Sequence, residues 1–347
     1  MFAELITRLS HGTELTGSET SQAVELLVRE DIPVELKSDF LSALARKGET
    51  VREIAAFARE LRGKSLEPEL HPATRAREIL DVCGTGGDHQ NTFNISTTVA
   101  LVAASAGIPV AKHGNRAVTS KSGSADVLEA LGIATNLKPE EAAESLRAHD
   151  FAFFFAPLYH PAFKHIAPAR KLCASRGQRT IFNFLGPLLN PAQPTAQLIG
   201  VPLASLCDPI AQVLQSLGIR RGMVVSGRFG ESSIDELSTL GENTVAEFYH
   251  DKGFSSSVLS PEHFGFSKAQ PSDLEGGDSQ RNAAIIRSIL DGSERGPMRD
   301  AVVFNSAAAL MVAGACPSLT EGMELAGELL DKGLAAAKLE ALAGFKP

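Results

Sequence analysis

Tryptophan is absent from the 347 residues and tyrosine occurs only twice. A surface that stacks exposed bases needs such rings, so a platform for single-stranded nucleic acid is not expected. The four cysteines, Cys83, Cys173, Cys207 and Cys316, are scattered and form no C-x-x-C pair. That argues against a disulfide framework or a zinc knot. No apolar run is long enough to cross a bilayer. The first residues, Met1 to Gly12, carry polar side chains every few positions and lack the apolar block and small-residue cleavage site of a signal peptide. A soluble, cytoplasmic protein with no membrane partner is expected. Positive charge is also in deficit: the net charge is −8, which argues against nucleic acid as a partner. A small phosphate ligand stays open, because bare backbone, a few local cations and Mg²⁺ can bind one inside an acidic protein.

What is present is apolar content of 44%, enough for a sizeable core in one large α/β domain or two unequal ones. The first sixty or so residues read as short amphipathic helices. Phe2, Leu5, Ile6 and Leu9 recur at helical spacing. "TGSE" at Thr16–Glu19 and "TVRE" at Thr50–Glu53 have capping-box spacing ahead of apolar stripes. Pro33 favours another helix start. An all-helical segment over 1–68 follows, with part of 165–190 packing on it and a linker at "GKSLEPELHPAT". From residue 75 to 347 the pattern is α/β. "EILDVCG", "IPVAKHG", "FAFFFAP", "TAQLIGV" and "RGMVVSG" read as strands and alternate with helical stretches. Apolar runs of this kind imply a mostly parallel sheet covered by helices on both faces. "NTVAEFYH" reads as an edge strand or hairpin, and the last segment as helix.

The densest chemistry lies in "DVCGTGGDHQNTFNIS". Gly84, Gly86 and Gly87 follow a strand and precede a helix, so bare N–H groups and a helix N-terminus converge where a phosphate could sit. No G-K-[ST] follows, so this is not a P-loop. Asp88 suits a ligand that offers hydroxyls or arrives with a cation. Thr92, Asn94, Ser96 and Thr97 exceed what capping needs. Cys83 has no evident base and reads as a small apolar residue. The second loop, "KHGNRAVTSKSGSAD", also follows a strand. Lys112 and Arg116 can neutralise phosphate, Asn115 can meet a carboxylate or an amine, and His113 is either a base or a packing group. In "SSIDELS", Asp235 and Glu236 are adjacent and point apart on extended backbone; carboxylates and water suit Mg²⁺. Arg170 can grip a planar carboxylate in bidentate fashion.

These stretches, together with "HPAFKHIAPAR", "RTIFNFLGPLLNPA" and "GGDSQRNAAI", closely resemble the anthranilate phosphoribosyltransferase family, in the family's order and over nearly the whole chain. The resemblance implies a small helical domain hinged to a larger α/β domain, with the active site between them, and a homodimer. It implies transfer of a phosphoribosyl group from phosphoribosyl pyrophosphate to the amine of anthranilate with release of pyrophosphate. Lys112, Asn115 and Arg170 would be the catalytic residues. The donor would be lined by Gly84, Gly87, Asp88, Thr92 and the run Asn94, Ile95, Ser96 and Thr97. Lys112, His113, Gly114, Asn115 and Arg116, then Ala117, Val118, Thr119, Ser120 and Ser124, would complete that lining. Two Mg²⁺ ions are implied, one touching Ser96 and the other held by Asp235 and Glu236. Gly84, Asn115 and Arg170 would contact anthranilate. Three departures stand out: Tyr159 replaces a usual histidine, the stretch after Arg170 is longer, and "SGRFGESSIDE" differs ahead of the acids. The first two fall near the expected acceptor pocket, so another aromatic acceptor is the alternative. A pyrimidine nucleoside phosphorylase is a remoter one, since "KHGNR" does not match that family's second loop.

Overall fold

The computed structural model describes residues 2–117, 121–250, 253–266 and 269–346. Four helices open the chain: Phe2–Ser10, Gly17–Val28, Val34–Lys47 and Val51–Arg62. Both expected capping boxes form. Thr16 and Thr50 accept from the backbone of Glu19 and Glu53, whose carboxylates return the bond, and this satisfies N–H groups that a helix leaves orphaned. The apolar stripes meet in one cluster around Phe40, which stands 4.9 Å from Phe2 and 6.4 Å from Phe57 between ring centres. Ile166, Ala169 and Cys173 enter the same cluster, carried by the later helix Ala167–Ser175. The buried Lys37 fixes that approach by donating to the carbonyls of Arg29, at 2.6 Å, and His165, at 2.9 Å.

Among the described residues the rest is built on eight strands: β1 (Leu80–Gly84), β2 (Val110–Gly114), β3 (Phe151–Phe155), β4 (Ala196–Gly200), β5 (Arg221–Phe229), β6 (Ser232–Ile234), β7 (Asn243–Tyr249) and β8 (Gly253–Leu259). Their order is β3-β2-β1-β4-β5-β7-β8, with β6 paired to the far end of β5. The five strands from β3 to β5 in that order are parallel, while β5–β7 and β7–β8 are antiparallel. The sheet is therefore mostly parallel, as expected. "NTVAEFYH" forms β7, one strand in from the edge. The edge itself is the serine-rich β8, which the apolar pattern does not announce.

Side-chain alternation divides the sheet faces. Along β4, Ala196 and Leu198 face the cluster formed with the helices Ile95–Ser105, Ser279–Leu290 and Pro297–Val312. Ile199 joins the cluster shared with the N-terminal helices and the helix Cys207–Ser216. The final segment is two helices, Leu319–Asp331 and Leu334–Ala343, broken at Gly333 with φ +68°.

The order has one reversal. From β1 the chain winds outward through β2 and β3, then returns to β4 on the other side of β1 and continues to β5. The connections leaving the carboxyl ends of β1 and β4 consequently diverge and open a crevice.

Candidate active site

That crevice is a cavity of about 620 Å³. Gly84, the last residue of β1, and Gly200, the last of β4, lie side by side in register. Asp235 crowds both, and at Gly200 the obstacle is backbone that cannot swing aside. A Cβ on Gly84 would run into the Asp235 carboxylate, and one on Gly200 into the Asp235 carbonyl. The β5–β6 hairpin turns at Gly230 (φ +61°) and delivers Asp235 and Glu236 back over the strand ends. "SGRFGESSIDE" is thus a hairpin that returns the two acids to the cleft.

The loop after β1 carries positive φ at Gly86 (75°), Gly87 (86°), His89 (59°) and Asn91 (55°). Nothing lies within 4 Å of where a Cβ on Gly86 or Gly87 would be. These glycines answer backbone strain and leave open space above the chain. Gly86 N–H donates to Asp235 Oδ2 at 2.7 Å, and Ser96 N–H donates to Glu236 Oε1 at 3.0 Å. The adjacent acids do point apart: one grips the glycine loop, the other the first turn of the helix Ile95–Ser105.

This corner is overloaded with negative charge. Burial, then the neighbouring Asp88 carboxylate, pushes the Asp235 carboxyl up to about 7. Burial, then Asp235, pushes Glu236 up to about 8. The cation acting on Glu236 is Lys112, 2% exposed. Its ammonium donates to the Val82 carbonyl at 2.7 Å and lies 3.5 Å from Ser96 Oγ. Burial lowers the Lys112 pKa, partly offset by Asp81 and Glu236. Lys112 is therefore a buried charge beneath the acids more than a surface clamp for phosphate. Among the described residues no three of His, Cys, Asp and Glu converge as a metal cage. A pair of adjacent carboxylates, Asp235 and Glu236, offers few ligands and so fits Mg²⁺, which keeps waters and takes oxygens from a bound phosphate.

The second loop, after β2, has a closed neck. Asp126 accepts from Ala117 N–H and Gly123 N–H, each at 2.9 Å. Asn115 carbonyl accepts from Ala125 N–H at 3.2 Å and Ser124 Oγ at 3.3 Å. Arg116 reaches the cavity wall, with its half-exposed guanidinium paired to Asp126 at 3.1 Å and Glu129 at 2.6 Å. His113 stacks edge-on to His160 at 5.2 Å. Burial, then the nearby His160, pushes its pKa down to about 3, so the ring is neutral and a poor proton acceptor at pH 7. Cys83 is buried too, and burial holds its thiol well above the usual range, which leaves it no nucleophilic role.

The opposite wall comes from the helix Ala167–Ser175 and the segment that follows. Arg170 lies over the Phe182 ring at 5.1 Å and has no carboxylate partner among the described residues. Arg179 lines the same cavity without an ion pair among those residues, and Phe184, Pro202 and Leu206 add apolar surface. Tyr159 is elsewhere. Its side chain is fully buried against Phe154, and its hydroxyl donates to the Leu137 carbonyl at 3.0 Å, so the change at that position does not enter the cleft. The longer segment after Arg170 does stand beside it, tied to the N-terminal helices by Ser42 Oγ donating to Gln178 Oε1 at 2.6 Å.

Every described residue singled out above for substrate or metal lines this one cavity, from Gly84 to Glu236. Val118, Thr119 and Ser120 fall outside the described residues. The sequence reading missed Gly200, Arg179, the apolar wall and the buried Asp81. Asp81 accepts from His113 N–H at 3.3 Å and from Gln197 at 3.2 Å, and so pins the start of the second loop from below. Only "RTIFNFLGP", with an arginine beside two phenylalanines in a proline-rich connection, carried a readable signal.

Comparison with known proteins places the chain in a family. Residues 3–65 match the helical bundle domain of the glycosyl transferase family and residues 76–336 its a/b domain. The anthranilate phosphoribosyltransferase of Petrotoga mobilis is 45% identical over 345 residues, 99% of this chain and 97% of the relative. The crystal structure of that enzyme from Thermus thermophilus superposes with a TM-score of 0.88 at 41% identity, covering 98% of each chain. The Saccharomyces cerevisiae enzyme in complex with PRPP and Mg superposes with a TM-score of 0.86 at 27% identity, covering 98% of this chain and 96% of the other. The chain belongs to the glycosyl transferase family that carries these two domains and, within it, to the anthranilate phosphoribosyltransferases.

Proposed function

We propose that this cleft transfers the 5-phosphoribosyl group of phosphoribosyl pyrophosphate to the amine of anthranilate, giving N-(5-phosphoribosyl)anthranilate and pyrophosphate. One observation carries the reading: the cavity has two walls of opposite chemistry. Bare backbone and three carboxylates suit a metal-bound diphosphate. Arg170, unpaired among the described residues and set against aromatic rings, suits a planar aromatic carboxylate.

Gly84, Gly87 and Asp88 would meet the donor from the first loop. Thr92 and the helix start from Asn94 through Ile95, Ser96 and Thr97 would add N–H and hydroxyl groups. Gly114, Asn115, Ala117 and Ser124 would do so from the second. Asp235 and Glu236 would hold one Mg²⁺ and Ser96 a second. Such ions offset diphosphate charge and so make it a better leaving group. As the C1–O bond breaks, positive charge builds on the ribose; the neutral amine attacks C1, and its proton becomes acidic as the C–N bond forms. No nucleophilic side chain is needed, in keeping with the neutral Cys83 and His113. Lys112 supports the charge balance from beneath, and Arg170 and Asn115 orient the acceptor, so rate comes from placement and electrostatics.

The same reading includes a homodimer in the cytoplasm and division of the chain into a helical unit, 1–68 with part of 165–190, and an α/β unit, 75–347. Closure between them would exclude water from the reactive sugar. The test is loss of anthranilate fluorescence on mixing protein, Mg²⁺ and phosphoribosyl pyrophosphate. Turnover of a different aromatic amine with none of anthranilate would reject the acceptor and keep the reaction class.

A further inference from the structure

The stretch "GGDSQRNAAI" contributes no lining to the cavity, yet it contacts the first loop directly and is linked to the second through Asn94 and, from the preceding Glu275, through Lys121. Its approach starts on backbone. Phe93 N–H donates to the Leu274 carbonyl at 3.2 Å, Gly276 N–H donates to the Asn91 carbonyl at 2.9 Å, and Thr92 bridges to Glu275 between them. The chains are so close that a Cβ on Gly276 would come 2.7 Å from Phe93 Cα. The segment therefore lies as a short antiparallel strip along the exit of the first loop.

Asn282, 2% exposed in the helix Ser279–Leu290, extends this contact to the second loop. Its Oδ1 accepts from Gly277 N–H at 2.7 Å. Its Nδ2 donates to Asn94 Oδ1 at 2.8 Å, and Asn94 Nδ2 donates to the Ser122 carbonyl at 3.2 Å. The relay begins at a backbone donor and ends at a backbone acceptor. Both amides are oriented by those ends, and neither can flip without setting two acceptors or two donors face to face. A second link runs outside the first, from Lys121 Nζ to Glu275 Oε1 at 3.3 Å. One segment is thus bonded to the glycine loop on one side and to the neck of the second loop on the other. Asn94, which reads from sequence as a group for the ligand, spends both amide atoms on this connection.

We propose that Asn282 is a positioning residue that sets the spacing between the two donor-binding loops. It acts through Asn94 and Ser122, with the Lys121–Glu275 pair as an outer brace. The inference rests on the assignment of those loops to phosphoribosyl pyrophosphate. A diphosphate held from two sides is sensitive to their separation, because placement errors near 1 Å cost large factors in such sites. The acceptor wall, built on Arg170 and the segment after it, is not part of the relay.

Asn282→Asp at pH 8 keeps the shape and the bond from Gly277 but removes the donor to Asn94. If Asn94 flips to compensate, it loses Ser122 instead, so one bond of the relay is broken either way. The expected result is a roughly tenfold rise in KM and Kd for phosphoribosyl pyrophosphate with Mg²⁺, with KM for anthranilate changed less than about twofold. Lys121→Met alters an exposed side chain, leaves the fold intact, and should raise donor KM about threefold with the same selectivity. Donor binding by the wild type is titrated alongside. If the wild type binds but donor and acceptor KM move together in these variants, or neither moves, the spacing role is overturned and the site assignment stands. Failure of the wild type to bind the donor overturns both.

Discussion

Asp235→Asn should stabilise the protein without Mg²⁺ while abolishing turnover. The Asp235 carboxyl is held at about 7 instead of 3.8, chiefly by burial and then by Asp88. A raised carboxyl pKa makes ionisation a cost in the folded state. That cost is absent below about pH 4, where both states are protonated. It grows as pH rises, and is complete above about pH 7, where both are ionised. A shift near three units corresponds to about 4 kcal/mol at most. Asp88 and Glu236 are relieved in turn, but the amide oxygen replaces a charged acceptor for Gly86 N–H with a weaker one. A net gain of about 2 kcal/mol at pH 8 is expected, seen as a melting temperature a few degrees higher. Thermal melts from pH 4 to 8, without Mg²⁺ and with a saturating concentration on the order of 10 mM, provide the assay. The variant should lead the wild type by more as pH rises. Mg²⁺ should stabilise the wild type and have little effect on the variant. A variant that melts below the wild type at pH 8, or an equal response of both proteins to Mg²⁺, would refute the electrostatic reasoning.

Arg170→Lys should raise KM for anthranilate at least about tenfold and leave donor KM near its original value, because a point charge replaces a planar fork; steady-state kinetics with each substrate varied in turn decides this. Tyr159→Phe should cost about 1 kcal/mol through the unsatisfied Leu137 carbonyl, with acceptor preference unchanged, and a shift in preference among substituted anthranilates would place that residue in the cleft after all. His160 is neutral in the fold, its pKa pushed down to about 4 by burial. An unfolded histidine takes up a proton near 6.5, so wild type should lose stability relative to His160→Gln as pH falls from about 6.5 to 4, by about 1.4 kcal/mol per unit. Parallel denaturation curves at pH 7 and 5 would show a constant gap if the histidine were charged in the fold.

Much of the fold was legible because apolar periodicity and turn chemistry agreed. The two capping boxes fixed helix starts, and "FAFFF" between Asp150 and the Pro157 break could be little but a buried strand. β8 escaped because "GFSSSVL" is exposed along nearly all its length, so no apolar face marks it. The break before the last helix escaped because a single glycine in a helical run does not declare its φ. The site was legible where backbone had to be bare. Gly84 and the loop beyond it stand out without knowledge of their neighbours. Gly200 has no such local signal, since its need for glycine comes from Asp235, 35 positions away in the sequence. Arg116 and Asn94 show the converse limit. Composition offers each to a ligand, and only the fold reveals the groups each also pairs with, Asp126 and Glu129 for Arg116 and Asn282 for Asn94.

The central claim is that the loops after β1 and β2 hold a magnesium-bound diphosphate between them while Arg170 faces the acceptor. A crystal soaked with phosphoribosyl pyrophosphate and Mg²⁺ tests it most directly. Diphosphate density between Gly84–Asp88 and the neck where Ala117 and Gly123 meet Asp126, with metal at Asp235 and Glu236, is the predicted result. Diphosphate bound against Arg170 and Phe182, with the glycine loop empty, would contradict it.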